Sequence, residues 1–250
     1  MTISTSMLAA SVSVEGPPGA APLLLLHGIH LGRYSWQPHV EILRRSFRVA
    51  VLDLPRHGSM YAVPFAWPHI ETQLRYVVEE VFGEAPLMVG YSLGGYCMMR
   101  LAQTRPDWSR GLLLAGCSLD PTAWRGSVYG ALVGMTSIIP RPFFDALSGG
   151  FFRTTLQPAL AAAIIASPFN PLAISETYAL LRGQTFSSML AAYPHPVLIA
   201  NGQYDVVFRP QEQRFVKEAR ASHRVIKGSD HVFPLRRPAQ FCDLIAEFGG

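Results

Sequence analysis

One serine of this 250-residue chain lies where it could act as a nucleophile. Ser92 is the centre of the stretch GYSLG (90–94), where an apolar run ends and a helix-like pattern begins. In such a turn the glycines let strand and helix pack closely, and the serine takes a strained conformation that presents its Oγ above the sheet. The helix that follows points its positive end at that oxygen. The alternative is a glycine-rich turn in which Ser92 only caps the helix.

A serine hydroxyl needs a base, and we expect a histidine that is oriented by a carboxylate. His231 follows a strand candidate and precedes the last helix, and Asp205 ends the run 196–205. Because the C-terminal ends of parallel strands share one edge of a sheet, both side chains are expected beside Ser92. Asp120, which follows the run 111–118, is the rival for the acid. His39, in contrast, falls on a helix position and is expected at the surface.

Acyl transfer also requires donors for the developing oxyanion, each worth roughly 3–4 kcal/mol. The backbone N–H of Leu93, directly after the serine, is one candidate, and that of Ile29, in the loop after LLLLHG (23–28), is the other. His27 is expected to brace this loop through hydrogen bonds, although His27-Gly28 could merely begin a tight turn. We expect no metal and no cofactor, because His27 and His30 have no carboxylate or cysteine partner at ligand spacing.

The elements that must position these groups follow from two alternating patterns. Continuous apolar runs predict strands that are buried on both faces, at 21–28, 47–58, 86–92, 111–118, 196–205 and 222–231. Helices are predicted between them, at 37–46, 68–82, 95–105, 211–219 and 238–248. Residues 7–16 are predicted to form an antiparallel edge strand. This alternation indicates an α/β fold with a mostly parallel sheet flanked by helices.

Residues 120–188 interrupt the alternation and are far too long for an ordinary connection. We interpret them as a mainly helical lid, which leaves residues 1–119 and 189–250 as the core. A lid so poor in charge suits apolar acyl or aryl groups. The candidates for lining the substrate channel are Trp36, Tyr91, Trp124, Tyr129, Met135, Phe143, Phe144, Phe151 and Phe152. For each of them the alternative is that it holds the lid to the body.

The composition excludes several other classes of protein. Hydrophobic residues make up 49% of the chain and charged residues 15%, so a large core is expected. The net charge of +4 comes from scattered basic residues, and no basic stripe predicts nucleic-acid binding. The three cysteines read as reduced core residues. We expect no signal peptide and no membrane span, and therefore a cytoplasmic monomer or homodimer.

The chain resembles the α/β-hydrolase family, in its serine esterase and lipase-like form, over nearly its whole length. The matching segments are LLLLHGIHLGRYSW (23–36), VLDLPRHG (51–58), VGYSLGG (89–95), VLIANGQYD (197–205) and GSDH (228–231). The resemblance implies an eight-stranded sheet, a lid after the sixth strand, and a cofactor-free site of Ser92, Asp205 and His231, in the chain order of that family.

Two segments depart from the family pattern. The family often has Asp-x-Arg-Gly-x-Gly after its fourth strand, and here the segment is DLPRHGSM (53–60), so that loop is expected to be reshaped. The residue before the histidine is often glycine, and here it is Asp230. A second carboxylate beside the base either raises the pKa of His231 or faces solvent.

These features together predict a serine hydrolase that cleaves carboxylic esters of small, largely apolar substrates through an acyl-enzyme. The same groups could serve a lactonase, a thioesterase, a C–C hydrolase or a cofactor-free lyase, because the fold does not separate these chemistries. A ligand-sensing protein of the same fold is the alternative from another class. Repeated turnover distinguishes an enzyme from a sensor that stalls after binding.

Overall fold

Seven strands form one sheet in the computed structural model, which describes residues 2–122, 141–167 and 170–250. The strands are β1 (Val12–Glu15), β2 (Ala21–Leu26), β3 (Phe47–Leu52), β4 (Leu87–Tyr91), β5 (Gly111–Ala115), β6 (Val197–Gly202) and β7 (Ser222–Ile226). Their order in the sheet is β1-β3-β2-β4-β5-β6-β7. Strand β1 runs antiparallel to β3, and every other pair is parallel. The mostly parallel α/β sheet is therefore confirmed, but the described residues contain seven strands rather than eight.

Helices cover both faces of this sheet. They are α1 (Thr5–Ser11), α2 (Gln37–Leu43), α3 (Trp67–Arg75), α4 (Leu93–Thr104), α5 (Arg141–Thr155), α6 (Pro158–Ala166), α7 (Leu172–Leu181), α8 (Phe186–Met189), α9 (Glu212–Ala219), α10 (Phe233–Arg236) and α11 (Pro238–Gly249). Helix α3 continues into a π-helical segment, Tyr76–Phe82. The edge strand predicted from residue 7 begins only at Val12, because the residues before it form α1. None of the described helices is long and apolar enough to cross a membrane.

The central strands are apolar along their whole length because both of their faces are buried. Leu23, Leu24, Leu25 and Leu26 of β2 are all fully buried. Successive side chains point to opposite faces of the sheet, so Leu24 and Leu26 pack with α3 and α4, and Leu23 and Leu25 pack with α2 and α11. Such a strand is stabilised by roughly 1.5–3 kcal/mol for each fully buried leucine. The C-terminal ends of β2, β4, β5 and β6 are thereby held at one edge.

Residues 120–188, which we call the insertion, lie between β5 and β6, and their described part contains α5 to α8. They follow the fifth strand of the described sheet, whereas the resemblance implied the sixth. Helix α7 is fixed to the loop after β3, where the sequence departs from the family pattern. Glu176 of α7 accepts hydrogen bonds from Arg56 Nη2 at 2.6 Å and Nε at 2.9 Å, and from the Phe65 N–H at 2.7 Å.

Arg56 has an unusual backbone conformation in that loop. Its φ is +66°, a left-handed value that is rare outside glycine, and its N–H donates to the carbonyls of Met60 and Val63. This backbone turn directs the guanidinium to Glu176, and both side chains are largely buried. The hydrogen bonds from Arg56 lower the pKa of Glu176, and the same contact raises the pKa of Arg56. The Arg56–Glu176 pair thus joins this loop to α7.

We predict that Glu176→Gln lowers the free energy of unfolding by about 1–2 kcal/mol, because hydrogen bonds to a charged group are lost. Glu247→Gln is the matched control, since Glu247 pairs with Arg224 at the same 2.6 Å but on the exposed surface. There the loss should stay below about 0.5 kcal/mol. Equal effects in both variants of a denaturant titration would contradict a structural role for the Arg56–Glu176 pair.

The same pair predicts a dependence on pH. A carboxyl whose pKa is lowered by folding adds stability above its unfolded pKa, about 4.3, and loses that contribution as the pH falls through the folded value. The difference in unfolding free energy between wild type and Glu176→Gln should therefore stay constant from about pH 8 to 5. It should shrink below about pH 4, as denaturant titrations at each pH would measure.

Candidate active site

Ser92 lies in a strained turn between β4 and α4. Its backbone has φ +50° and ψ −113°, and its N–H donates to the Ala115 carbonyl of β5 at 2.8 Å. A side chain at Gly90 would collide with the Gly95 backbone, and one at Gly94 would collide with the Leu26 backbone, so Gly90 lets β4 touch α4 and Gly94 lets α4 touch the end of β2. Strain of this kind costs of order 1–3 kcal/mol and persists only where the surrounding structure imposes it.

His231 and Asp205 form a direct hydrogen bond. The Nδ1–H of His231 donates to Asp205 Oδ2 at 2.9 Å. The Asp205 carboxylate is buried, and its Oδ1 accepts the N–H groups of Val207 at 3.2 Å and Phe208 at 3.0 Å. Because a carboxylate can only accept, the proton of the neutral imidazole lies on Nδ1, and Nε2 is left as the acceptor. This arrangement suits a base that is oriented by a buried carboxylate.

The imidazole of His231 is held on three sides. The ring of Phe208 stacks on it with centroids 4.7 Å apart, and Tyr91 lies across from it at 5.3 Å. Gly116 forms the third contact, since a Cβ there would lie 2.9 Å from Nδ1 and Cε1 of the ring. Gly116 directly follows Ala115, which binds the Ser92 N–H. The serine and the histidine therefore lie at the same edge of the sheet.

The carboxylates of Asp120 and Asp230 are bound by groups other than the His231 ring. Asp120 is fully buried and accepts the N–H of Ser187 at 2.9 Å and its hydroxyl at 2.7 Å. Its carboxylate thus anchors α8. Asp230 is bound by Arg236 at 2.7 Å and by the N–H of Val232 at 3.0 Å. Both carboxylate oxygens of Asp230, the residue before His231, are therefore bound by other donors.

The loop after β2 is braced by His27. The Nδ1–H of His27 donates to the Gly28 carbonyl at 2.8 Å, and Nε2 accepts the Leu54 N–H at 3.1 Å. Burial lowers the pKa of His27, so the neutral ring that this bonding requires is favoured. The His27 carbonyl accepts the Gly94 N–H at 3.0 Å, which ties the loop to the start of α4. Among the described residues, neither the Ile29 N–H nor the Leu93 N–H donates a hydrogen bond.

A cleft of about 410 Å³ opens beside the serine. Within the described ranges it is lined by Ile29, Ser92, Leu93, Tyr96, Leu119, Pro121, Thr177, Leu181 and Phe208. Most of these side chains are apolar, and none carries a charge. The insertion and the core both contribute to the walls. Nothing in their local pattern distinguishes these cleft residues from the core, and sequence reasoning therefore missed six of them: Tyr96, Leu119, Pro121, Thr177, Leu181 and Phe208.

The aromatic residues predicted to line the channel have other positions. Trp36 must be withdrawn as a candidate, because it is fully buried and its ring stacks on Phe241 in the core. Tyr91 is buried against His231, and Phe143 is 62% exposed on α5. Phe152 packs against the core, and Phe151 is 44% exposed. Trp124, Tyr129, Met135 and the Phe144 side chain lie outside the described residues.

A metal site needs several ligating side chains close together, and a redox site needs reactive thiols. No group of three or more His, Cys, Asp or Glu side chains among the described residues is placed to hold a metal ion. Cys97, Cys117 and Cys242 are buried free thiols. Burial raises the pKa of Cys242 to about 12, so its reactive thiolate form is suppressed.

Comparison with known proteins gives the family. A family model described as "Alpha/beta hydrolase family" matches residues 23–244, and the chain therefore belongs to that family. Two similar proteins are pimeloyl-[acyl-carrier protein] methyl ester esterases. The one from Aeromonas hydrophila is 26% identical over 266 aligned residues, which cover 96% of this chain and 100% of that protein. The one from Vibrio atlanticus is 29% identical over 167 residues, 63% of this chain and 57% of that protein.

Solved structures agree with this assignment. MenH from S. aureus superimposes with a TM-score of 0.78, with 95% of this chain and 97% of that chain covered. The two sequences are 17% identical, so this likeness shows the fold alone. Membership of the α/β-hydrolase family, which the sequence motifs indicated, is thus confirmed.

We predict that Gly116→Ala displaces the His231 ring. Gly116 has φ +61° and contacts the imidazole, whereas Gly183 has φ +76° and nothing within 4 Å of a Cβ, so Gly183→Ala is a control for backbone strain alone. The control should lose about 1–2 kcal/mol of stability. Gly116→Ala should lose more stability than this control. In its NMR spectrum the Nδ1–H resonance of His231 should shift or vanish. An unchanged resonance and equal losses would show that the ring does not depend on this contact.

Proposed function

We propose that the protein is a serine hydrolase that cleaves carboxylic esters of small, largely apolar substrates. The observation that carries the proposal is the His231–Asp205 hydrogen bond at the sheet edge that also bears the strained Ser92 turn. The similarity to methyl ester esterases over 96% of the chain supports ester chemistry over the lactonase, thioesterase, C–C hydrolase and lyase alternatives. Repeated turnover of an ester would distinguish this enzyme from the ligand-sensing alternative, which would stall after binding.

In this proposal Ser92 Oγ attacks the ester carbonyl while Nε2 of His231 takes its proton. Asp205 keeps the imidazole in the required tautomer and stabilises the imidazolium that forms. The N–H groups of Leu93 and Ile29 receive the oxyanion. His231 then returns the proton to the leaving alcohol, and water, deprotonated by the same histidine, hydrolyses the acyl-enzyme.

The cleft supports an apolar acyl group. Its described walls are apolar, and each methylene that is buried there contributes about 0.8 kcal/mol. We propose that residues 120–188 act as the lid of this site, since Thr177 and Leu181 of α7 line the cleft together with core residues. The methyl ester named for the relatives is consistent with a small alcohol as the leaving group.

Ser92→Ala should fold normally and lose about 10⁶-fold in kcat on p-nitrophenyl butyrate, because the nucleophile is gone. A fluorophosphonate probe should label the wild-type protein once and leave Ser92→Ala unlabelled. Ser188→Ala, at an exposed serine of α8, is the control and should match wild type in both assays. Full activity in Ser92→Ala would refute the proposed nucleophile, and a single turnover in wild type would favour the sensor.

The limited size of the cleft predicts that kcat/KM is highest at one length of the acyl chain. Across p-nitrophenyl esters from acetate to dodecanoate, kcat/KM should rise by up to about fourfold per methylene and then fall once the cleft is full. Leu181→Phe should move the optimum to shorter chains, because it fills the cleft from α7. Leu147→Phe, at an exposed position of α5, is the control and should leave the optimum in place. A flat profile in wild type would contradict an acyl site in this cleft.

A further inference from the structure

Thr177 is the feature of the cleft that ester hydrolysis alone leaves unexplained. It lies on α7, lines the same cleft as Ser92, and is 1% exposed. Its Oγ1 is buried and has no hydrogen-bond partner in the structure. Burial of a hydroxyl without a partner costs about 1–3 kcal/mol. A buried polar atom of this kind calls for an explanation.

Other threonines in the helices of this protein behave differently. A helical threonine commonly donates its hydroxyl to the carbonyl one turn earlier. Thr72, Thr104, Thr154 and Thr155 do so, at 2.7, 3.2, 3.0 and 2.6 Å from their partners. Thr177 has the corresponding carbonyl, that of Ala173, in the preceding turn and does not bond to it. Its hydroxyl therefore remains available to another group.

The rest of the described cleft wall contains few side-chain groups that could bind a polar atom of a substrate. Apart from Ser92, the described lining contains two side-chain hydroxyls, those of Tyr96 and Thr177. The Tyr96 hydroxyl donates to the Leu119 carbonyl at 2.8 Å. The remaining side chains of the lining are hydrocarbon. An uncharged oxygen of a substrate that reached α7 would thus meet the Thr177 hydroxyl.

Helix α7 is held firmly enough to make Thr177 a defined contact. The preceding residue, Glu176, is bound by Arg56 and by the Phe65 N–H. Just after the helix, the Gly183 N–H donates to the Pro121 carbonyl at 2.9 Å. Before it, Asn170 Nδ2 donates to the Tyr61 carbonyl at 2.8 Å. These contacts tie both ends of α7, so the hydroxyl is pre-positioned.

We propose that Thr177 is a specificity-determining residue that donates a hydrogen bond to a carbonyl or ether oxygen of the substrate, away from the ester that is cleaved. The inference rests on the proposed function and narrows its substrate class from purely hydrocarbon esters to esters that carry one additional uncharged oxygen. This oxygen can belong to the acyl chain or to the alcohol, and the two sources are separated by experiment.

The test compares matched esters in wild type, Thr177→Val and Thr177→Ser. Thr177→Val keeps the shape and removes the hydroxyl, whereas Thr177→Ser keeps the hydroxyl. The acyl arm uses p-nitrophenyl heptanoate and its 4-, 5- and 6-oxo derivatives. The alcohol arm uses propyl and 2-methoxyethyl hexanoate. For at least one oxygenated ester, the ratio of its kcat/KM to that of its plain partner should fall about tenfold in Thr177→Val and persist in Thr177→Ser.

The arm that responds identifies the source of the oxygen. Equal ratios in all three proteins, across both arms, would overturn the inference and leave ester hydrolysis intact. Binding gives a readout that does not need turnover. The same pairs, titrated calorimetrically into Ser92→Ala and Ser92→Ala/Thr177→Val, should show the same tenfold loss in the ratio of Kd values. If wild type cleaves none of the esters, the proposed function fails, and the binding ratio still decides the role of Thr177.

Discussion

The direct contact of β4 with α4 is the constraint on which the rest of the site depends. A Cβ at Gly94 would collide with the backbone of β2, and one at Gly95 would collide with the Cys117 side chain after β5. Helix α4 therefore begins against three strand ends at once. Ser92 must turn sharply to enter that helix, and its strained φ is the local consequence. The start of α4 is also tied to the His27 loop, because the Gly94 N–H donates to the His27 carbonyl, and the Ser92 N–H donates to Ala115, next to Gly116.

His231, the proposed base, is positioned by Asp205 and Phe208, which lie far from Ser92 in sequence, and by Tyr91, which is next to it. Asp205 is buried, and three donors surround its carboxylate, which makes the buried charge tolerable. The ring of His231 then fits between Tyr91, from the nucleophile strand, and Phe208, from the Asp205 loop. Phe208 also lines the cleft, so one side chain both forms part of the cleft wall and supports the His231 ring. Under the proposed function, a change in this residue would affect specificity and catalysis together.

The sequence could predict those features that depend on local pattern. The runs of β2, β4 and β5 are apolar because both faces are buried, and the turn at Ser92 has its own motif. Other features depended on partners elsewhere in the chain. His39 was expected at the surface, but it is fully buried and its ring bonds to the Pro234 carbonyl at 2.9 Å. The burial of Trp36 is likewise decided by α11. The position of Thr177 on the cleft depends on how α7 is held, and the Arg56–Glu176 pair that holds this helix joins residues 120 positions apart. No periodicity in the sequence could indicate that pair.

Asp120 gives the last link between the insertion and the site. The sequence raised it as a rival for the acid, but its carboxylate binds Ser187, 67 residues later. The start and the end of the insertion are thus joined at one buried carboxylate, and Arg56 holds α7, near the end of the insertion, through Glu176. Fixing the ends of a long segment reduces the conformations that it can adopt. The part of the cleft wall that Thr177 and Leu181 form is therefore held by contacts at both ends of the insertion, which is the rigidity that the proposed hydrogen bond from Thr177 requires.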